Sequence, residues 1–486
     1  MMYFSGNVVT KSLANAIKCL KKAADSGNGM GQYFLGTFYW NGLGGGSYSE
    51  AIDLFIKAAE QGYADAVKKL KEIAKDGNVS IQDLLGNMYL YGKGVEKSYF
   101  EAALWFKKAA KKGNADAQCN LGNLYFSGLG VKQSYAESIK WFWEAAIQGN
   151  AEAQTYLGLM FREGVGTIQS DEEAIRWFRK AADQNYATAQ YVLGQMYFSG
   201  RGVDQSYSDA ARWYELAAEQ GFVEAQAMIG ILYRSGIGVR KSDNLAAKWL
   251  KMAAEQGDKT AQNQLGLVIM ENKRLSQWDE SAEWFRKAAD QGYDDAQNNL
   301  GYFYEFGLGV NQSYDEAVKW YKKAANQGHA GAQFNLGIMY KNGRGVNQSY
   351  NEAIRWFKKS ADQSNADSQN SLGIMYANGE GVEQSYEKAV EWYRLAADQG
   401  HAIAQYNLGV MYEFGDGIEQ SDAEAANWYR KAAEQGDSDA QYDLGRLYEY
   451  GAGLEQSDEE AVRWYSKAAK QGNSDAQARL DYILGK

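Results

Sequence analysis

Apolar positions along this chain recur with a helical period, and the pattern then repeats itself. Between Asn114 and Gly149 two amphipathic segments follow one another. In the first, Ala117, Leu121, Leu124 and Tyr125 fall on one face at α-helical spacing. In the second segment of the preceding stretch, Ala102, Phe106, Ala109 and Ala110 form the answering stripe. Large residues facing small ones let two helices pack without voids, and Gly122 beside Leu121 leaves room for a close approach. Asn114 can cap the first helix, which runs to about Ser127. Gly128-Leu129-Gly130-Val131 then turns the chain, and a second helix opens at Ser134 and stops at Gly149. Ser134 with Glu137 has the spacing of a capping box, in which hydroxyl and carboxylate satisfy backbone amides reciprocally. The pairing returns at Ser98/Glu101, Ser170/Glu173, Ser313/Glu316, Ser349/Glu352, Ser421/Glu424 and Ser457/Glu460. Gly149 and its equivalents are expected to supply the left-handed residue after each second helix.

The unit is copied along almost the whole chain. A Leu-Gly pair, once Ile-Gly, recurs at Gly86, Gly122, Gly158, Gly194, Gly230, Gly266, Gly301, Gly337, Gly373, Gly409 and Gly445, with a step of 36 except for one of 35. One helix pair cannot bury its apolar face alone, so stability must come from stacking on neighbours. The string Ala-x-Ala-Gln-x-x-Leu-Gly-x-x-Tyr, then Gly-x-Gly-Val, then Glu-Ala-x-x-Trp-Phe/Tyr-x-Lys-Ala-Ala-x-Gln-Gly resembles the Sel-1-like repeat, a relative of the tetratricopeptide repeat. Residues 115–149 and 366–400 carry it well. The resemblance implies an all-α, right-handed α-solenoid of about a dozen antiparallel helix pairs that scaffolds other proteins. It implies no reaction.

The pattern breaks in three places. Tyr3-Phe4-Ser5-Gly6 matches Tyr125-Phe126-Ser127-Gly128, so the chain opens near the end of a first helix and residues 1–62 form a partial and a first repeat. Residues 63–78 begin like a first helix, but Lys71 replaces the glycine and no second helix follows, which predicts an unpaired helix at a joint. A block of repeats spans 79–271; around Leu267–Asp279 the Gly-x-Gly loop is missing and Ile269 replaces the tyrosine. An acidic block with a closing cap helix spans 272–486, and both interruptions are expected to open more easily than their neighbours.

Composition narrows the function classes. Proline is absent, while 53 glycines sit at fixed offsets and act as punctuation. The net charge of −10 is uneven: residues 365–486 hold 22 acids and 10 bases, a net of −12, which leaves +2 for the rest. A nucleic-acid binder needs a basic stripe, so nucleic acid is not an expected partner. No apolar run approaches the ~20 residues of a membrane span. Two cysteines, Cys19 and Cys119, form no disulfide framework and point to a cytoplasmic protein, although a start upstream of Met1 would leave room for a secreted one.

Candidate chemistry is sparse. The Gly-x-Gly elements follow no strand and carry no Lys-Ser/Thr, so they read as turns and not phosphate loops. His329 and His401 occupy one slot two repeats apart, too distant to share a metal, and read as helix starts. Eleven of the fourteen tryptophans sit in one repeated slot, which assigns them to packing. The repeated Gln118, Gln154 and Gln190 are expected to bond backbone between repeats. No metal, cofactor or catalytic constellation is expected.

Function should then lie in slots that differ from copy to copy. Counting from Leu121, the first-helix positions off the packing stripe include Cys119, Asn123, Phe126 and Ser127, and the resemblance places them on a concave groove. The slots of Phe126 and Ser127 hold Trp40, Tyr91, Arg162, Phe198, Arg234, Glu305, Phe306, Lys341, Glu413, Phe414, Glu449 and Tyr450 in other copies. These are the candidate partner-binding residues. Glu305, Glu413 and Glu449 are expected to draw in a basic and apolar protein segment that Phe306, Phe414 and Tyr450 then hold. The leading reading is a protein-interaction scaffold or adaptor. The alternatives are an enzyme or enzyme-regulatory subunit, and a secreted host-interaction repeat protein.

Overall fold

The computed structural model describes residues 13–271 and 278–485. Among them are twenty-seven α-helices and no strand. The chain divides into two compact units, Met1–Ser242 and Asp243–Lys486, a division that falls before the boundary at 271/272 read from the sequence. Within each unit, first and second helices alternate, except that the helix Ala64–Lys75 is followed directly by another first helix, and consecutive helices pack together. The opening segment Tyr3–Gly6, and the stretch 272–277 within the second interruption, lie outside the described residues.

Helices Ala115–Ser127 and Tyr135–Ile147 show why the pair forms. Asn114 Oδ1 accepts the amide of Ala117 at 2.7 Å, and Gly128 ends the helix in a left-handed conformation. Phe142 is wholly buried against Gly122, where an added β-carbon would stand 2.7 Å from the ring. The same contact joins Gly86 to Phe106, Gly337 to Phe357 and Gly409 to Tyr429. The turn is equally tight: a β-carbon on Gly130 would meet the backbone of Tyr99, at the start of the preceding second helix, at 2.2 Å. The Gly-x-Gly elements are thus docking turns.

The second-helix start differs from the expected capping box. The serine hydroxyl accepts the amide three residues on in every copy named above, as at Ser98 and Ser457. Among the described residues the returning carboxylate bond is made only at Ser47, whose amide donates to Glu50 at 2.6 Å. Elsewhere that amide is already engaged: Ser98 donates to the Tyr89 carbonyl and Ser134 to the Tyr125 carbonyl, at 2.9 and 3.0 Å. The freed glutamates pair along the helix instead, as Glu316 does with Lys319 and Glu460 with Arg463.

Buried glutamines tie repeats together. Gln118 donates to the Ala110 carbonyl at 3.1 Å, and its own carbonyl accepts from Gln148 at 2.7 Å, so one amide joins three helices. Equivalent rungs run through Gln154/Gln184, Gln297/Gln327, Gln369/Gln399 and Gln441/Gln471. At Gln82 the partner slot holds Lys112, which donates to the Gly77 carbonyl, and Gln82 Oε1 is left buried without a donor.

Nine repeat-equivalent tryptophans, among them Trp105, Trp177 and Trp464, are buried, but Trp213 and Trp392 are only partly covered. In seven of the nine a lysine three residues on lies over the indole, as close as 3.6 Å for Lys323 on Trp320. Leu216 and Leu395 stand in that place at Trp213 and Trp392, so neither ring has the lysine. The lone helix Ala64–Lys75 buries Ala66, Val67, Leu70, Ile73 and Ala74 against its neighbours and exposes a polar face. It has no second helix of its own, yet its apolar side is covered, and 63–78 remains a proposed joint.

Replacing Phe106 by alanine should cost roughly 3–5 kcal/mol in chemical denaturation, because the cavity forms against a rigid glycine backbone. Ser364 fills the slot of Gly149 at φ 63°, a conformation that L-residues enter at a cost of roughly 1–2 kcal/mol. Ser364→Gly should therefore raise the denaturation midpoint, an outcome opposite to the usual effect of glycine. Next to the lone helix, Asp83 leaves one carboxylate oxygen unpaired, and burial followed by repulsion from Asp116 raises its carboxyl to about 6. The folded state then holds more protons than the unfolded chain between about pH 4 and 6, so stability falls as pH rises through that window. Asp83→Asn should flatten that slope and stabilise the protein at neutral pH.

Candidate functional site

The positions that vary between repeats lie at the C-terminal end of each first helix, just before the left-handed glycine that stops it. The last position carries the exposed rings. Tyr91, Phe306, Phe414 and Tyr450 are 73%, 52%, 65% and 62% exposed. Each is followed directly by that glycine. In the unit Asp243–Lys486, Tyr302 packs on Phe306 with centroids 4.6 Å apart, and the Arg479 guanidinium faces Tyr450 and donates to its hydroxyl at 2.8 Å.

One position earlier the side chains turn inward, and the expected groove charges are corrected. Glu305 is buried, 8% exposed, and Glu413 and Glu449 are nearly so. Tyr321, Tyr429 and Tyr465, on the partner second helices, donate to these carboxylates at 2.8, 2.8 and 2.7 Å. Arg446 donates to both oxygens of Glu413 at 2.5 and 2.7 Å, Arg479 binds Glu449, and Arg344 lies 3.7 Å from Glu305. Each of these carboxylates is thus paired within the fold, and Arg446 also holds Asp443 at 3.1 Å. Burial, together with the facing carboxylate, pushes the Tyr321 and Tyr429 phenols far up, so both remain donors.

The remaining candidates are half-buried. Trp40 packs on Tyr48 at 4.5 Å, Phe126 on Tyr135 at 5.5 Å and Phe198 on Tyr207 at 5.1 Å, each ring folding onto the start of its own second helix. Arg162 pairs with Glu163 at 2.6 Å and Lys341 with Glu380 at 3.1 Å, while Arg234 is partly covered and engaged. Cys119, expected on the groove, is 1% exposed because the next repeat's Ala153 and Leu157 pack there, and burial pushes its thiol up. Asn123 is half-buried and Ser127 exposed. The structure therefore brings together tyrosine, glutamate and arginine where the sequence reading saw only a free glutamate. The signal was present: each of the three glutamates has a tyrosine sixteen residues later.

His329 and His401 are helix caps. Nδ1 of each accepts an amide three residues on, at 2.9 and 3.1 Å, which leaves the Nε2 proton to reach Asp295 and Asp367 in the preceding repeat. Asn150 makes the same two bonds. Among the described residues no group of three or more His, Cys, Asp or Glu is arranged to hold a metal ion. No helix among them is long and apolar enough to cross a membrane.

Comparison with known proteins agrees with this architecture. The Sel1 repeat model matches thirteen segments, from 1–28 and 29–63 through 82–114 and 115–150 to 438–473, and leaves 64–81, 259–278 and 474–486 unmatched, the first two of which contain the breaks in the pattern. Comparison with curated proteins gives no match. Among solved structures, a protective antigen present in uropathogenic Escherichia coli strains, displaying an SLR fold, is 34% identical over 96% of this chain and 90% of its own, with a TM-score of 0.53. A Sel1 repeat protein from Oxalobacter formigenes is also 34% identical, covering 46% of this chain and 89% of its own at a TM-score of 0.42. The immunity protein Pa5087 from Pseudomonas aeruginosa is 22% identical, covering 46% of this chain and 81% of its own at a TM-score of 0.31. With its repeated helix pairs and a family model matched along most of its length, the chain belongs to the Sel1 repeat family.

Proposed function

We propose that this chain is a protein-interaction scaffold that holds a partner segment against the ends of its first helices. The observation that carries the reading is the exposure, in the unit Asp243–Lys486, of Phe306, Phe414 and Tyr450, each three residues after a buried side chain of its own helix: Phe303, Met411 and Leu447. Large rings held in water on a rigid frame favour association, and such residues anchor interfaces. Helices fixed on both sides present them without loss of backbone freedom, so little ordering cost opposes binding. The partner is proposed to mix basic and apolar residues, since residues 365–486 carry a net charge of −12. Glu305, Glu413 and Glu449 act in this reading by seating the second helices behind the rings, and the attraction falls to exposed acids such as Glu419 and Glu455.

Affinity capture with mass spectrometry supplies the partner, and single-site variants test the surface. Phe414→Ala and Tyr450→Ala should each weaken binding about tenfold, mainly through faster dissociation, with the helical signal unchanged. Glu413→Gln should instead lower stability by about 1–3 kcal/mol and leave the salt dependence of association as it was. Full affinity in the Phe414/Tyr450 double variant, with loss of binding in Arg430→Ala on the second helix, would place the interface elsewhere.

A further inference from the structure

The unit Asp243–Lys486 shows three times how this fold holds a carboxylate: a buried tyrosine donates to it and an arginine faces it. Tyr214 stands in the same slot in the unit Met1–Ser242, 1% exposed, but the residue sixteen positions earlier is Phe198. Phe198 turns its ring onto Tyr207, and the Tyr214 hydroxyl has no hydrogen-bond partner among the described residues. Burial raises the Tyr214 phenol, so the hydroxyl keeps its proton. In place of a glutamate there is a cleft of about 330 Å³ lined by Tyr214, Arg162, Phe198, Arg201, Met196 and Met228, together with Gln195 and Ser199.

Two arginines line the cleft, each paired with a carboxylate beside it. Arg201 donates to Asp171 at 2.9 Å and to the Arg162 carbonyl at 2.6 Å, and lies 3.9 Å from Glu163. Arg162 uses only Nε on Glu163, so both of its terminal nitrogens are without a carboxylate. The other copy with a tyrosine and no glutamate is Ala377/Tyr393. There Lys341 and Glu380 take the places of Arg162 and Arg201 and neutralise each other at 3.1 Å.

We propose that the cleft binds the carboxylate of a ligand, set where Glu305, Glu413 and Glu449 place their own in the other unit. Tyr214 donates to one oxygen, Arg162 supplies the charge, and Met196 and Met228 take the apolar arm that carries the acid. The site lies in a different unit from Phe306, Phe414 and Tyr450, so it stands or falls independently of the surface proposed above.

The test uses the full chain labelled with carbon-13 at its methionine methyl groups, and 3-phenylpropionate as the probe. At millimolar concentration the acid should shift the Met196 and Met228 signals to saturation, while 3-phenylpropanamide should not. Tyr214→Phe, which copies the residue found at Phe142 and Phe178, should weaken binding roughly tenfold or more, and Arg162→Gln should do likewise. Phe198→Glu should fill the site from within and abolish the shifts. Equal shifts from acid and amide, no shift at all, or unchanged binding in both Tyr214→Phe and Phe198→Glu would overturn the proposal. Two short peptides separate the sources of the carboxylate. Binding lost on amidating a C-terminal phenylalanine assigns a chain end, and binding of a doubly capped peptide with one internal glutamate assigns a side chain. Binding of the small acid alone assigns a free carboxylic acid.

Discussion

Because Gly122 has no side chain, the ring of Phe142 lies against the backbone of its partner helix, closer than any β-carbon would permit. The close approach fixes the depth of each pair, and the other contacts are scaled to it. Alanines at 102, 109, 110 and 117 are small because the helices are near. The Gly130 loop reaches the backbone of Tyr99 only because the pair before it is equally thin. Enlarging one glycine would therefore disturb the pair and also the seat of the following turn.

Polar groups complete what this packing begins. A glutamine amide that joins three helices must be satisfied on both sides, since an unmet buried amide costs more than the bond gains. The tyrosine–glutamate–arginine groups follow the same logic with charge. Tyrosine in place of phenylalanine brings a hydroxyl into the core, and the glutamate sixteen residues back accepts from it. The arginine that balances that glutamate comes from a different position each time, Arg344, Arg446 or Arg479. The charge requirement is thus strict while its supplier is free to move.

Most of the fold was legible because periodicity reports burial directly. Helix ends, the docking turns and the histidine caps could be read from Asn114, Gly128 and His329 in their slots, since each acts through its own stretch of backbone. What escaped depends on contacts between repeats. Cys119 lies off the stripe that faces its own second helix, yet the next first helix covers it. Ser98 and Glu101 have capping-box spacing, but the cap amide is taken by a carbonyl nine residues earlier, which spacing cannot reveal. Glu413 looked free because only its place in one helix was considered and not the Tyr429 hydroxyl facing it.

The glutamine rungs have a consequence for the length of the chain. Each rung joins a glutamine to the repeat before it and to the second helix of its own repeat, with the same atoms at the junctions of Gln118 and Gln154. Removing or inserting one whole repeat inside a unit leaves every donor facing an acceptor, and even the repeat that is one residue short closes its rung, Gln291 donating to Gln262 at 2.8 Å. Such an array can therefore grow or shrink by duplication or loss of a whole segment without any part of the remaining core being redesigned.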